Sequence, residues 1–586
     1  MIKVENMSYS FPEKDLYKDV SFTIEDGSHC VLMGSNGTGK TTLVDMIIDP
    51  EQYLYDGKIT KEQVGRIGYV SQYVKGEKDL DTTVYDFLSR DFVALQEKIG
   101  EVCAKMGEAE DLEAVFEEYQ NLLDESQAVD GDNFDSNIKK QLHLAGLSHL
   151  ESLTIDMISG GEYKLIQVIQ QMMQKPGLLI MDEPDIFLDF DNLNGLCRLI
   201  NSYAGTLLVI THNRYLLNHC FDKVLHLENT DIQEFEGNFT EYNFALLKKK
   251  VEMKEQAAKE DEEIERNRKI VERMREAATN VDSATRGNTL NARVSLLNRL
   301  EARRIKDPFV DIHKPEITLP VLDEQDSEKI LLSVSDYQVS FDDLLLEHVS
   351  FELHAGEKVA IVGPNGTGKT TLLREIARQK LSDDQKNPAI TISDEAELGF
   401  LSQIYGEMLD ESHTIMDEFL SLGFEKEQEV SDYLKGYGFE ADTLDRKMQV
   451  LSGGEKNLLQ IAKIARTKAD LLLLDEPTSH LDTYSQIALE EALSAYKGAV
   501  LMVSHDFYNI VNCADSILYV EDRSIRKMRI RTFRKKIYDN HFDKNYLELE
   551  QKRKELEMRI SSALQSSDIV LAKELCDQLE AVIAAN

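Results

Sequence analysis

Short, wholly apolar runs recur along the chain, and each stops at a glycine or a polar residue. Cys30–Met33, Leu178–Met181 and Leu207–Ile210 in the first half have counterparts in Val359–Val362, Leu471–Leu474 and Val500–Val503 in the second. Runs of this length, bounded by turn signals, read as strands buried on both faces of a parallel sheet. None comes near the roughly 18 consecutive apolar residues that a membrane helix needs. Met1-Ile-Lys-Val opens directly into a strand without a signal-peptide pattern, so the expectation is a cytoplasmic α/β protein. Its 586 residues are too many for one core and imply two or three domains.

Between the strand runs, other stretches carry helical periodicity. Residues 90–137 are rich in Ala, Glu, Leu, Gln and Lys, with Phe92, Leu95, Ile99 and Cys103 on one face. From Tyr242 to Lys306 there is high helix propensity and no proline. Its centre, residues 278–289, is made of loop formers, so the segment reads as two long helices meeting at a tip. A charged helical pattern from Asn545 to Leu579 suggests a terminal helix pair. Alternation at Arg529, Ile530, Arg531, Thr532 and Phe533 reads as an exposed strand.

The chemistry sits at the ends of the apolar runs, twice over. Gly34-Ser-Asn36-Gly37-Thr-Gly39-Lys40-Thr41-Thr42 follows one run, and Gly363-Pro-Asn365-Gly366-Thr-Gly368-Lys369-Thr370-Thr371 follows its counterpart. Such a loop between a strand and a helix aims successive backbone N–H groups at phosphates, reinforced by the helix N-terminus. Lys40 and Lys369 then reach the β- and γ-phosphates, and Thr41 and Thr370 bind Mg²⁺. Asp182 and Asp475 end apolar strands, where a carboxylate can hold the metal's shell. Glu183 and Glu476 come next and can polarise an attacking water. Gln72 and Gln403, then His212 and His505, complete each set beside the metal and the γ-phosphate. Ser159-Gly160-Gly161-Glu162 and Ser452-Gly453-Gly454-Glu455 are anion-binding helix starts with no lysine of their own, so each must complete the site of another cassette. Phe11 and Phe341 precede the two loops by similar distances, as adenine-stacking rings or as plain core aromatics.

The two copies also measure each other. Matching lysines are 329 positions apart and matching glutamines 331, but from the Ser-Gly-Gly-Glu motifs onward the offset is 293. The drop from 331 to 293 places 38 extra residues in the first half, within the helical stretch 90–137. A net charge of −40 argues at first against a nucleic-acid partner. Locally the sign reverses: Arg266, Arg268, Lys269, Arg273, Arg275, Arg286, Arg293, Arg299, Arg303, Arg304 and Lys306 face only four acids. Arginine suits bidentate phosphate contacts, so this segment reads as a polyanion contact. Residues 523–536 hold eight more Lys or Arg, equally readable as a solvated edge or an RNA contact. The six cysteines have no CxxC spacing and read as buried or incidental thiols.

The duplicated motif set is identified as that of the ATP-binding cassette family. Two fused cassettes, an insertion confined to the first and an Arg-rich hairpin between them resemble the ABC-F branch over nearly the whole chain. The resemblance implies two P-loop ABC ATPase domains (1–241 and 329–538), the first carrying an arm (90–137). It implies a helical linker (242–306, tip 278–289), a connector (307–328) and a C-terminal helical extension (539–586). It further implies that Ser452–Glu455 caps the ATP held by Lys40, and Ser159–Glu162 the ATP held by Lys369. ATP and Mg²⁺ are the implied cofactors, and the implied state is a monomer whose two cassettes pair within the chain. ABC-F proteins bind the ribosome, typically at the tRNA exit (E) site, so the same is implied here. The arm would face ribosomal proteins, and the linker would face rRNA and the P-site tRNA near the peptidyl-transferase centre. Neither DNA nor a membrane is an implied partner. The branch holds both translation factors and antibiotic-resistance proteins that protect the ribosome, and the long linker favours protection.

Other readings ask for features that are missing here. A transporter's ATPase subunit would need a membrane partner and no basic hairpin. A DNA-repair ATPase would bring zinc cysteines or a far longer coiled coil. The ribosome-recycling relative would need a cysteine-rich start, and a bare scaffold would have lost a catalytic glutamate. Within the pattern, the first copy departs by reading Asp185-Ile186-Phe187 where the second has Thr478-Ser479-His480. The expectation is two unequal ATP sites, the one holding Lys40 being slower.

Overall fold

The computed structural model describes residues 1–11, 14–62, 64–72, 81–106, 112–186, 188–278, 294, 314–320, 322, 326–340, 344–381, 386–538 and 544–584. Phe187, Phe341, residues 279–289 of the expected linker tip, and Arg286, Arg293, Arg299, Arg303, Arg304 and Lys306 lie outside these. The chain divides into two compact units: Met1–Glu236 with His313–Lys536, and Gly237–Ile312 with Ile537–Asn586.

In the first unit the apolar runs form two six-stranded sheets of the same topology. One runs Ile67–Val70, Leu178–Asp182, Leu207–Ile210, His29–Met33, Lys223–Glu228, Asp231–Glu236. Its counterpart runs Leu398–Leu401, Leu471–Asp475, Ala499–Val503, Lys358–Val362, Ser516–Glu521, Ser524–Arg529. In each sheet the first five strands are parallel and the last is antiparallel to its neighbour. Leu178–Asp182 and Leu471–Asp475 are buried at every position, so each delivers its aspartate from the interior to the sheet's C-terminal edge. This edge of a parallel sheet is where ligands bind in open α/β folds.

A three-stranded antiparallel sheet accompanies each: Lys14–Ile24, Ile2–Phe11, Asp56–Lys61 in the first half, and Leu344–His354, Ile330–Ser340, Ile390–Ile392 in the second. The helices Lys40–Ile48 and Lys369–Leu381 fill the space between, burying Leu43, Val44, Met46 and Ile47 in one case and Leu372, Leu373 and Ile376 in the other. The halves differ in their helical parts. Where the second has the short helix Ile415–Leu420, the first has Val84–Lys105 followed by Leu112–Ala128. Phe92 stacks on Phe134 with ring centroids 4.3 Å apart, tying the long helix to the helix Phe134–Ala145.

One expectation is overturned. Residues 529–533 are not a continuous exposed strand: the strand ends at Arg529 and a helix, Ile530–Tyr538, begins. Ile530, Phe533 and Ile537 fall on one face at helical spacing, and Phe533 is fully buried. The alternation in the sequence came from Arg529, the last residue of the strand, and Arg531, an exposed residue of the helix. Of the cysteines, five are buried and Cys103 is exposed.

The second unit is built on the 40-residue helix Phe239–Ala278 and the helices Lys544–Gln565 and Ile569–Ile583. Val251 of the long helix shares a core with Leu556, Ile560, Leu564, Leu575 and Leu579. Lys254 donates to the Leu564 carbonyl at 2.7 Å, and Glu255 pairs with Lys573.

Candidate functional site

Each glycine-rich loop wraps its own lysine. Lys40 Nζ donates to the carbonyls of Gly34 and Ser35 at 2.9 and 3.0 Å, and Lys369 Nζ to those of Gly363 and Pro364 at 2.8 and 2.6 Å. Both ammonium groups are buried, which lowers their pKa, and both have the motif carboxylates close by. In the first half the hairpin Ile2–Ile24 leans on the loop: Lys14 donates to the Gly37 carbonyl at 2.9 Å and Tyr17 to that of Gly39 at 2.5 Å. Phe11, at the tip of the same hairpin, is 47% exposed and available to a ligand.

The threonine and aspartate predicted to share a metal are in contact in both halves. Thr41 donates to Asp182 Oδ2 at 3.2 Å and Thr370 to Asp475 Oδ1 at 2.9 Å. The other oxygen, Asp475 Oδ2, is buried with no hydrogen-bond partner among the described residues. A carboxylate oxygen left this way fits a cation or its water shell. Glu183 and Glu476 follow with backbone φ of 46° and 48°, a left-handed conformation that costs energy for a non-glycine residue and clusters at functional sites. Gln72 donates to Glu183 Oε2 at 2.6 Å, and the main chain of His505 donates to Glu476 Oε2 at 3.1 Å. Burial, with Asp475 alongside, pushes the Glu476 carboxyl up to about 8; burial also raises Glu183 and pushes Asp182 up to about 6. Burial pushes His212 and His505 down to about 3, so both rings are neutral at physiological pH.

The two halves complete each other's loops. Asp482 caps the helix Thr483–Ala495 with one oxygen, and its other oxygen accepts the main-chain N–H of Asn36 at 3.0 Å. In mirror fashion, Asp189 caps the helix Phe190–Ser202 and accepts the main-chain N–H of Asn365 at 3.0 Å. Asn36 also donates its side-chain amide to the His480 carbonyl at 2.9 Å. This close approach needs a glycine at 454, where a Cβ would sit 2.4 Å from Asn36 Nδ2 and 2.5 Å from that carbonyl. At the other loop a cavity of about 690 Å³ is lined by Ser159, Gly160 and Gly161 from the first half and by Asn365, Lys369, Thr370, Thr371 and Gln403 from the second. Its volume lies in the range of small-molecule sites. Ser159 and Ser452 each cap their helix in a capping box with Glu162 and Glu455, so these helix starts have well-defined geometry.

The halves are not equivalent here. In the second, Asn457 of the signature helix (Gly453–Ala465, capped by Ser452) donates to the Pro477 and Ser479 carbonyls, both at 3.0 Å. The matching residue of the first is Lys164, a fully buried ammonium whose Nζ bonds the Ser71 carbonyl beside Gln72. Asp185 accepts a hydrogen bond from Thr211 at 2.6 Å, and burial pushes its carboxyl up to about 6. Sequence reasoning named neither the cross-half roles of Asp189 and Asp482 nor Arg214. Arg214 is buried and pairs with Glu490 and Asp506 of the other half. The aspartates share the 293 offset and could have been singled out by it; Arg214 faces Phe507 at that offset and gave no repeat signal.

The sequence profile of the ABC transporter family matches residues 17–185 and 346–479. The chain is 29% identical over 542 residues to the putative ATP-binding protein YdiF of Bacillus subtilis strain 168, covering 90% of this chain and 81% of that one. It is 29% identical over 537 residues to ABC transporter F family member 5 of Arabidopsis thaliana, covering 89% and 75%. Over 521 residues it is 27% identical to the energy-dependent translational throttle protein EttA of Escherichia coli K12, covering 87% and 90%. Among solved structures it aligns with the archaeal ribosome recycling factor aABCE1, crystallised with the ribosomal stalk protein aP1, at a TM-score of 0.54 and 18% identity over 91% of each chain. It aligns with the RNase-L inhibitor at 0.51 and 17% identity over 89% and 90%. At these identities the structural likeness concerns the fold alone.

Proposed function

The chain belongs to the ATP-binding cassette family, as a tandem-cassette ATPase of the ABC-F kind, and from that premise we propose that it acts on the ribosome, closing its cassettes around ATP there and releasing after hydrolysis. The observation that carries the ATP-driven part is the reciprocal contact at the two loops, Asn36 with Asp482 and Asn365 with Asp189. A ligand held by one loop and capped by the other cassette's helix start favours the closed pair, and loss of its γ-phosphate removes the differential contacts.

In this reading Lys40 and Lys369 hold the phosphates, helped by the loop amides of Gly34–Gly39 and Gly363–Gly368. Ser452–Glu455 cap the first ATP and Ser159–Glu162 the second. Glu183 and Glu476 polarise the attacking water, with Gln72, Gln403, His212 and His505 orienting it and the γ-phosphate. Thr41, Gln72 and Asp182, and likewise Thr370, Gln403 and Asp475, are the residues that would hold Mg²⁺. When bound, the ion would neutralise negative charge on the nucleotide's phosphates. Phe11, and Phe341 at the second site, stack on adenine.

The ribosomal part is supported by likeness to a protein named as a translational throttle and by the basic segment 266–306 in a chain of net charge −40. The helix pair of the first cassette would meet ribosomal proteins, and the linker would meet rRNA and the P-site tRNA, in the cytoplasm. No helix among the described residues is long and apolar enough to cross a membrane. Co-sedimentation of the Glu183→Gln, Glu476→Gln double variant with 70S ribosomes tests this. The expected result is ATP-dependent pelleting, and a chain that stays in the supernatant with ATP contradicts the proposal.

The finer role we propose is protection of the ribosome from an antibiotic, supported by the length of the linker, about 65 residues from Tyr242 to Lys306. The likeness to the throttle protein favours a second reading, a housekeeping translation factor. Expression in a drug-sensitive host separates the two. Protection predicts growth at raised lincosamide, pleuromutilin or phenicol concentrations, whereas an unchanged inhibitory concentration for all three leaves the housekeeping reading.

A further inference from the structure

The two histidines of the ATP sites have different surroundings. At the second site, His505 Nε2 lies 3.6 Å from Glu476 Oε1, and its Nδ1 is buried with no hydrogen-bond partner among the described residues. What borders this ring is an aromatic edge from the other cassette: Phe190, centroid 6.2 Å away and inclined at 63°. Phe190 directly follows Asp189, which holds the Asn365 amide, so two adjacent residues of the first cassette reach the second site's loop and its histidine.

Phe190 is itself supported. It packs edge-on against Phe533 at 5.7 Å and 71°, and Phe533 is fully buried and stacks on Phe507 at 6.1 Å and 25°. Phe507 lies two residues beyond His505 in the chain, so the stack that supports Phe190 leads back to the second cassette's own segment. At the first site the matching residue is Thr483, buried and without a ring, and both nitrogens of His212 are buried with no hydrogen-bond partner among the described residues. Edge-on aromatic contacts have preferred geometry and restrict a ring's tilt. An imidazole that carries no hydrogen bond at Nδ1 has few other restraints on its orientation.

We propose that Phe190 is a positioning residue for hydrolysis at the second ATP site: it holds the His505 ring in place across the cassette interface, and Phe533 holds Phe190. Among the described residues, His212 of the first site has no aromatic neighbour of this kind. The inference rests on the reading that His505 acts at the γ-phosphate.

The test is steady-state ATP turnover of the full chain in two backgrounds. Glu183→Gln leaves hydrolysis to the second site, and Glu476→Gln leaves it to the first. Phe190→Thr installs the residue the other cassette uses. It should lower kcat on the order of tenfold in the Glu183→Gln background, as expected for a misplaced catalytic group, with KM for ATP within about twofold. In the Glu476→Gln background it should leave kcat within about twofold. Phe190→Tyr, which keeps the ring edge, should restore most of the loss, and Phe533→Leu should reproduce part of it. Equal losses in both backgrounds, a raised KM with unchanged kcat, or full activity of Phe190→Thr overturns the proposal. His505→Ala in the Glu183→Gln background separates the two readings: full activity there removes the role of His505 itself, whereas a loss there beside an active Phe190→Thr removes only the role of Phe190.

Discussion

Asp482 Oδ2 accepts the main-chain N–H of Asn36 at 3.0 Å, so the residue that caps a helix of the second cassette also fixes the phosphate loop of the first. Asp189 and Asn365 repeat the relationship in the opposite direction at the same distance. One carboxylate oxygen serves its own helix and the other serves the opposite cassette, so helix stability and closure depend on the same side chain.

Asp482→Ala should therefore destabilise the protein by about 1–2 kcal/mol through loss of the cap alone. Beyond that, it should weaken ATP binding at the Lys40 loop more than at the Lys369 loop, and Asp189→Ala should do the reverse. Thermal denaturation reads the first effect. Nucleotide titration of variants in which the other loop lysine is replaced by alanine reads the second.

Arg214 pairs with Glu490 and Asp506 across the cassettes, and its guanidinium lies 4.7 Å from the centroid of the Tyr508 ring. The neighbouring carboxylates hold its pKa above the usual arginine range despite burial. Removing one partner of a buried pair strands the others, so Arg214→Ala should cost about 3–5 kcal/mol. Arg214→Met combined with Glu490→Met should lose much less. Urea unfolding of the variants measures both.

The first cassette places Asp185 where the second has Thr478, and Lys164 where the second has Asn457. The second cassette's signature helix thus grips the segment after its glutamate through Asn457, while the first bonds the segment before Gln72. The expected outcome is slower hydrolysis at the site holding Lys40. A barrier difference near 1 kcal/mol corresponds to about fivefold in rate. Glu476→Gln should accordingly depress total ATP turnover more than Glu183→Gln, and equal losses would remove this inequality.

Asp475 Oδ2 is buried with no hydrogen-bond partner among the described residues, and the Thr370 hydroxyl meets the other oxygen at 2.9 Å. Chelation of Mg²⁺ with EDTA should abolish turnover, and adding the metal back should restore it. Asp475→Asn should raise the Mg²⁺ concentration needed for half-maximal activity, measured by metal titration at saturating ATP.

The sheets were legible in the sequence because runs such as Leu471–Leu474 admit few alternatives once a glycine-rich loop and an Asp-Glu pair bound them. Phosphate-loop residues were legible because their motif is continuous in the chain. The helix Ile530–Tyr538 was not: Arg529, which ends the preceding strand, and Arg531 extend a strand's alternation into it, and Phe533 finds Phe190, one of its partners, in the other cassette. Arg214 is hidden in the sequence for a related reason. Its pairing with Glu490 spans 276 residues and has no counterpart in the repeat, so comparing the two copies gives no hint of it. Local motifs define each half-site, whereas contacts between the halves depend on packing that a single sequence does not encode in any short window.

The central claim is that each ATP site is built from both cassettes, and Ser452→Arg tests it most directly. Placed in the Glu476→Gln background, where only the site holding Lys40 hydrolyses, this substitution should abolish ATP turnover. In the Glu183→Gln background, where the site holding Lys369 is capped by Ser159, turnover should stay within about twofold. Loss of activity in the Glu183→Gln background with retention in the other would mean that each signature helix serves its own cassette, and would contradict the account.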